Sequence, residues 1–191
     1  MKKDHSTEAN ILRVAEREFL EKGFAGARTV RIAERAGVTH AMLHYYFRTK
    51  KQLFDRIITE KSTLLAQSIL SIFSDASLPL KERMEKGIAA HFDFLTANPL
   101  LPRFIVTEIG QIDRSFAEHV YPQVVAALRH TQEEIDFDVR HLMMDILALN
   151  VLPFLTYPVI EKTGMTKKGR KAYLEAVKQE NITTILKRLG L

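Results

Sequence analysis

The sequence predicts an all-α protein, with a three-helix amino-terminal head containing a helix-turn-helix, a larger helical body behind it, and about nine helices in total. Three observations carry that expectation. Apolar residues recur at helical spacing in nearly every stretch between Gly and Pro breaks, and no alternating run marks a strand. At 191 residues and 46% apolar content the chain has ample material for a packed core. The charge is also uneven. Residues 1–51 hold 11 Lys and Arg against 6 Asp and Glu, and residues 52–191 hold 17 of each, so the whole net charge of +5 lies in the first quarter. A basic head on a neutral body suits a polyanion partner for the head and a different task for the body. The bland alternative is a solvated basic face.

The elements follow in order. Ser6 and Thr7 cap a first helix from about Thr7 to Lys22, on which Ile11, Leu12, Ala15, Phe19 and Leu20 share a side, and Gly23 offers a left-handed stop. Thr29 opens a short second helix with Ile32, Ala33 and Ala36 on one face, and Gly37 ends it. Thr39 caps a third helix reaching Phe47. Two short helices meeting across a glycine turn, with a longer one before them, have the spacing of a helix-turn-helix. A fourth helix, Lys50 to about Ile72, joins head to body through Leu53, Ile57, Leu64 and Ile72. In the body, Leu80, Met84, Ile88, His91 and Leu95 precede the Asn98-Pro99 break; Leu101, Phe104, Ile105 and Glu108 precede Gly110; and Phe116, Val120, Val124 and Leu128 surround Pro122. The last two helices are expected at Val139–Ile160 and Lys171–Leu189. Pro122, Pro153 and Pro158 fall inside periodic runs, so each predicts a kink or a boundary. The head is expected over residues 1–51 and the body over 52–191.

Several classes of function are disfavoured. With no cysteine there is no disulfide framework, thiolate metal site or cysteine nucleophile. MKKDHSTEAN lacks a signal-like apolar run, and DILALNVLPFLTYPVI carries Asp145, Asn150 and two prolines, so a cytoplasmic protein that crosses no membrane is expected. There is no Gly-rich phosphate loop, G-x-S-x-G or dinucleotide fingerprint, and Asp138 with His141 gives one imperfect approximation to a ferritin-like Glu-x-x-His. No enzymatic activity, cofactor or metal is expected. His141 with Asp145 is an i, i+4 pair of metal-ligating types, but a histidine in a core is more often hydrogen-bonded structure than ligand.

The chemistry gathers in AGVTHAMLHYYFRTKKQLF, residues 36–54. Behind the Thr39 cap, the first turn of the third helix presents His40, Ala41 and Met42 to whatever the helix end approaches, and Val38, Leu43 and Phe47 face inward. One turn on, His44, Tyr45 and Tyr46 offer donors for phosphate oxygens, and Lys50 begins a helix whose amino end also attracts anions. Part-buried aromatics of a small head are the structural alternative for the two tyrosines. In the body, Glu108, Asp145 and Asn150 fall within apolar runs beside His91, Phe104 and Tyr157; polar groups inside a bundle need partners, which a small effector would supply.

ILRVAEREFLEKGFAGARTVRIAERAGVTHAMLHYYFRTKKQLFDRII resembles the amino-terminal DNA-binding domain of the TetR family of transcriptional regulators. The shared features are an alanine-phenylalanine-glycine first helix, a threonine opening the second, IA-x-x-AGV through the turn, then L-x-x-YF-x-x-K-x-x-L. The resemblance implies that Thr29, Tyr45, Tyr46 and Lys50 hold phosphates, that His40, Ala41, Met42 and His44 approach base edges, and that the body binds an effector and dimerises. Two positions depart from the family pattern. Ala41 stands where glycine is usual, adding a methyl able to meet a thymine methyl. His44 stands where tyrosine is usual, adding a titratable donor that makes DNA binding pH-sensitive.

Together these features predict a homodimeric repressor, released from a palindromic operator on double-stranded DNA by a small, largely apolar effector held by His91, Phe104, Glu108, Asp145, Asn150 and Tyr157. Leu142, Ile146, Leu149, Tyr173, Val177, Ile182, Ile185 and Leu189 are expected to face a second copy in a four-helix bundle, with the fourth helix as the lever between effector and head. A constitutive or architectural DNA binder with a filled body, and a small helical enzyme with a basic head, are the alternatives.

Overall fold

The structure, a computed structural model, describes residues 5–108, 122–123, 125–126 and 137–191. Among the described residues it is all-helical, with eight helices: α1 His5–Gly26, α2 Thr29–Ala36, α3 His40–Tyr46, α4 Lys50–Phe73, α5 Leu80–Ala97, α6 Leu101–Glu108, α7 Val139–Glu161 and α8 Lys167–Leu189. Most of the run expected around Pro122, including Phe116, Val120, Val124 and Leu128, lies outside the described residues. By compactness the described residues of Met1–Ser62 and Phe104–Phe116 form one unit, and those of Thr63–Arg103 and Ala117–Leu191 form the other. The first unit takes in the opening turns of α4 because Leu53, Phe54, Ile57 and Ile58 are all buried there.

The first unit is a trihelical head built on apolar positions at helical spacing. Ile11, Val14, Ala15 and Phe19 of α1, Ile32, Ala33 and Ala36 of α2, and Leu43 of α3 are buried, and full burial of each larger side chain contributes about 1.5 to 3 kcal/mol. Phe19, Phe24, Phe54 and Phe104 form an aromatic cluster, with Phe54 edge-on to Phe19 at 5.3 Å and to Phe24 at 5.0 Å, and tilted against Phe104 at 5.5 Å. The turn after α2 needs the left-handed conformation, which Gly37 adopts at φ 67°. Asn10 of α1 donates to the last carbonyl of α2, Ala36 O, at 2.9 Å. Glu18, fully buried, accepts from Arg35 at 2.9 Å.

The first helix differs from expectation at its end. Gly23 does take a positive φ, at 70°, but a further turn follows it to Gly26, with Ala27 N donating to Gly23 O at 3.1 Å.

In the second unit α5, α7 and α8 pack around Phe73, Met84, Ile88, Leu142, Ile146 and Ile185. A smaller cluster joins Phe92, Leu95, Phe154 and Leu174. α8 begins at Lys167 rather than Lys171 because Thr166 caps it, accepting from Gly169 N at 3.1 Å.

Neither proline of α7 ends that helix. A proline at position 153 removes the amide that would bond Leu149 O; instead, Asn181 Nδ2 of α8 donates to Leu149 O at 2.7 Å. The freed carbonyl thus has a partner from another helix, which sequence periodicity does not register.

The residues expected on a dimer face belong largely to this core. Leu142, Ile146, Ile182 and Ile185 are buried within the chain. The outward side of α7 carries Met144, Leu147, Leu152 and Val159 instead, 63%, 44%, 57% and 69% exposed. By length and composition α7 alone among the described helices is apolar enough to cross a membrane. It also carries Asp145, ion-paired with Arg188, and Asn150, which is buried and hydrogen-bonded to α5 and α8.

Candidate nucleic-acid interface

α3 starts where Thr39 accepts from Met42 N at 3.1 Å, a side-chain cap that frees the chain before it to be extended. Leu43 and Phe47 are buried, so the opposite face, with His40, Ala41, His44 and Tyr45, turns outward. This is the face expected from the spacing. Thr29, in the first turn of α2, shares a 3.1 Å hydrogen bond with His40 Nε2. The His40 and His44 rings meet edge to face at 4.4 Å. His44 Nδ1 donates to Arg48 O at 3.1 Å, which leaves its Nε2 as the outward nitrogen. Thr29, His40 and His44 are thus joined across the two helices of the turn. Arg28, Arg31 and Arg48 are exposed nearby in sequence and supply the positive charge.

Three expected phosphate contacts stand differently from one another. Tyr45 is 45% exposed and Tyr46 only 7%, because one residue step along a helix turns the side-chain direction by about 100° and Tyr46 falls on the core side. Their rings meet edge to face at 5.5 Å. Lys50 Nζ donates to Phe24 O at 2.8 Å and Ala27 O at 3.1 Å, and lies 4.6 Å from the centre of the Phe24 ring. Two of its three N–H donors therefore hold the last turn of α1. The amino end of α4 is capped by Thr49, which accepts from Gln52 N at 3.1 Å.

The six residues expected around an effector form no single cluster. Phe104 and Glu108 belong to the first unit. Glu108 Oε1 there accepts from Phe24 N at 3.1 Å, a contact between residues 84 positions apart and so beyond the reach of sequence periodicity.

The other four lie in the second unit. His91 and Asn150, 4% and 0% exposed, form a buried ladder with Asn181. Asn150 Nδ2 donates to Ile88 O and to His91 Nδ1, both at 3.1 Å, and Asn150 Oδ1 accepts from Asn181 at 3.1 Å. Burial pushes the His91 imidazole down to about 4, so it is neutral near pH 7 and accepts through Nδ1. Asp145 pairs with Arg188 at 2.5 Å. Tyr157 is buried with the Arg170 guanidinium 4.0 Å above its ring. A hollow of about 720 Å³ lies on the α5 and α8 side of this unit, lined by Lys81, Lys86, Ile182, Thr183, Leu186 and Lys187 among others, and takes in none of the six. A smaller one, about 200 Å³, includes Asp145 beside His141 and Arg188.

Residues 11–57 match the family described as bacterial regulatory proteins, tetR family. The transcriptional repressor SCO4008 of Streptomyces coelicolor is 30% identical over 134 residues, which cover 67% of this chain and 66% of that protein. The chain thus spans just under two thirds of that relative's length. Two solved structures share the fold. The fatty acid degradation regulator FadR of Bacillus halodurans matches with a TM-score of 0.69 at 19% identity over 95% of this chain and 97% of its own. FadR of Bacillus subtilis, in complex with stearoyl-CoA, matches with a TM-score of 0.68 at 18% identity over 91% of this chain and 97% of its own.

Proposed function

The chain belongs to the tetR family of bacterial regulatory proteins, and from that premise we propose that it is a homodimeric transcriptional repressor which leaves a palindromic operator when a small, largely apolar effector binds its body. The observation that carries this is the outward side of the head. A capped α3 presents His40, Ala41, Met42 and His44 on a rigid three-helix core, with the protein's whole excess of positive charge in the same first quarter of the chain. A helix fixed in this way enters the major groove with its first turns against base edges, and the surrounding cations and hydroxyls hold phosphates. No cofactor is needed for that task.

The exposed apolar stripe of α7 supports the dimer. Met144, Leu147, Leu152 and Val159 give a contiguous helical side that water disfavours, and a second copy packing the same side about a two-fold axis covers it. Two heads related by that axis read an inverted repeat with half-sites about one helical turn apart, roughly 34 to 36 Å, or a multiple of it. α4, unbroken from Lys50 to Phe73, is the element through which a change in the body would reach the head. A largely apolar effector accords with the fold's use in the Bacillus subtilis regulator that carries stearoyl-CoA. One observation favours the second reading, a constitutive DNA binder: His91 and Asn150, the two buried polar groups among the expected effector contacts, are bonded to each other.

Fluorescence anisotropy with a duplex enriched by the protein from a random pool tests the DNA-binding reading. Binding should weaken steeply as salt rises, and His40→Ala should change the enriched motif, costing about 1 to 3 kcal/mol at a disturbed base pair. An unaltered motif would remove His40 from the readers. Effector and operator must weaken each other by the same factor, so a thermodynamic cycle with a candidate fatty acyl-CoA separates an inducible repressor from a constitutive binder.

A further inference from the structure

We propose that Glu108 is a positioning residue of the DNA-binding head, acting with Lys50 as a two-ended clamp on the turn that carries α1 into α2; this rests on the DNA-binding reading above. The turn has an unusual origin. Gly23, at φ 70° and ψ 173°, kinks α1, so Phe24 starts a new turn whose amide needs an acceptor as at any helix start. Glu108 supplies the acceptor: its Oε1 takes the Phe24 N–H at 3.1 Å. At the carbonyl end of the same turn, Lys50 Nζ donates to Phe24 O and Ala27 O. A carboxylate on the amide end and an ammonium on the carbonyl end both match the local dipole, and bonds to charged groups are the strong ones.

The position of the turn gives the clamp its consequence. Ala27 is buried, Arg28 follows as the residue capping α2, and Thr29 opens that helix and bonds His40 of α3. The placement of residues 24–27 therefore sets the placement of Thr29 and, through it, of the outward face of α3. The Phe24 ring anchors the turn from below, between Phe19 and Phe54, and Phe54 in turn meets Phe104, one helical turn before Glu108. Glycine suits position 23. Its positive φ disfavours any side chain, and a Cβ there would stand 2.7 Å from Glu108 Oε1, so the carboxylate would have to move from its place beside Phe24 N. The last turn of α6 is consequently part of the head's working structure, although the intervening residues Thr63–Arg103 belong to the second unit.

The full-length protein and a duplex it enriches from a random pool provide the test, with Glu108→Ala, Glu108→Gln and Gly23→Ala as variants. Glu108→Ala should bind that duplex about ten-fold more weakly, a factor equal to about 1.4 kcal/mol. The slope of log K against log salt should be unchanged, because Glu108 touches no phosphate. Glu108→Gln keeps an acceptor oxygen and should recover most of the affinity, and Gly23→Ala should behave like Glu108→Ala. In hydrogen exchange, the amides of residues 24–29 should exchange about ten-fold faster in Glu108→Ala while those of α5 and α8 keep their protection; general destabilisation would speed both sets. Wild-type affinity in Glu108→Ala would overturn the proposal, and so would tighter binding to every duplex, which would reduce Glu108 to a bulk negative charge. If the wild-type protein enriches no duplex, the DNA-binding reading fails, and unchanged exchange at Phe24 would then overturn the clamp as well.

Discussion

His91 makes acid a specific threat to the body of this protein. It is 4% exposed, neutral in the fold, and bonded through Nδ1 to Asn150 in a ladder that continues to Asn181. Burial holds its titration at about 4, against 6.5 for the free imidazole. The folded group is thus harder to protonate than the unfolded one. Its contribution to stability is complete above pH 6.5 and is lost as pH falls from there through 4, because the unfolded chain binds the proton first. Each pH unit inside that window removes about 1.4 kcal/mol, which amounts to about 2 kcal/mol at pH 5 and about 3 kcal/mol at pH 4. Urea unfolding at pH 7.5, 6, 5 and 4, followed by circular dichroism, reads this as a falling midpoint at constant slope. His91→Gln removes the titration and should flatten the profile across the window, although it lowers the stability at pH 7.5. The exposed imidazoles are the same in both proteins and cancel from the comparison. Parallel profiles for wild type and His91→Gln would refute the reasoning, since the acid sensitivity would then come from other groups.

Three further outcomes are expected. Leu152→Glu places a charge on the apolar stripe of α7, 57% exposed in the chain, and should shift sedimentation from dimer to monomer at micromolar concentration while leaving the monomer's own unfolding free energy within about 0.5 kcal/mol; an unchanged mass would exclude that side as the interface. Lys50→Ala should weaken all duplexes alike and lower the slope of log K against log salt by about one unit through loss of its third donor. A loss of stability with the slope unchanged would confine Lys50 to its carbonyl contacts at Phe24 and Ala27. Asn181→Leu leaves Leu149 O facing Pro153 with no donor and breaks the Asn150 contact, so it should cost about 1 to 3 kcal/mol in urea unfolding; full stability would mean that water takes over at the proline.

The legibility of the sequence differed sharply between the two units. The head was readable because its determinants are local. Thr39 caps α3 three residues before Met42, Gly37 turns left-handed where a stop was expected, and Leu43 and Phe47 are buried as their spacing required. Tyr46 was harder, since neighbouring tyrosines on a helix point about 100° apart and only the packed head shows which one is outward. The side-chain contacts of Lys50 and Glu108 join positions 23 to 84 residues away, and no periodicity carries such information. In the body the period was found and the direction was not. α7 is apolar on both sides, so Leu142 and Ile146 were indistinguishable by pattern from Met144 and Leu152, although the first pair is core and the second is exposed. The partner of Leu149 O at Pro153 is likewise Asn181, supplied from another helix.

Sequencing of duplexes enriched from a random pool by the full-length protein tests the proposed regulator most directly. The expected result is a palindromic motif, with half-sites about one helical turn apart or a multiple of it, that shifts when the face holding His40 and Met42 is altered. Enrichment of no motif at low salt, or of a motif indifferent to that face, would contradict it.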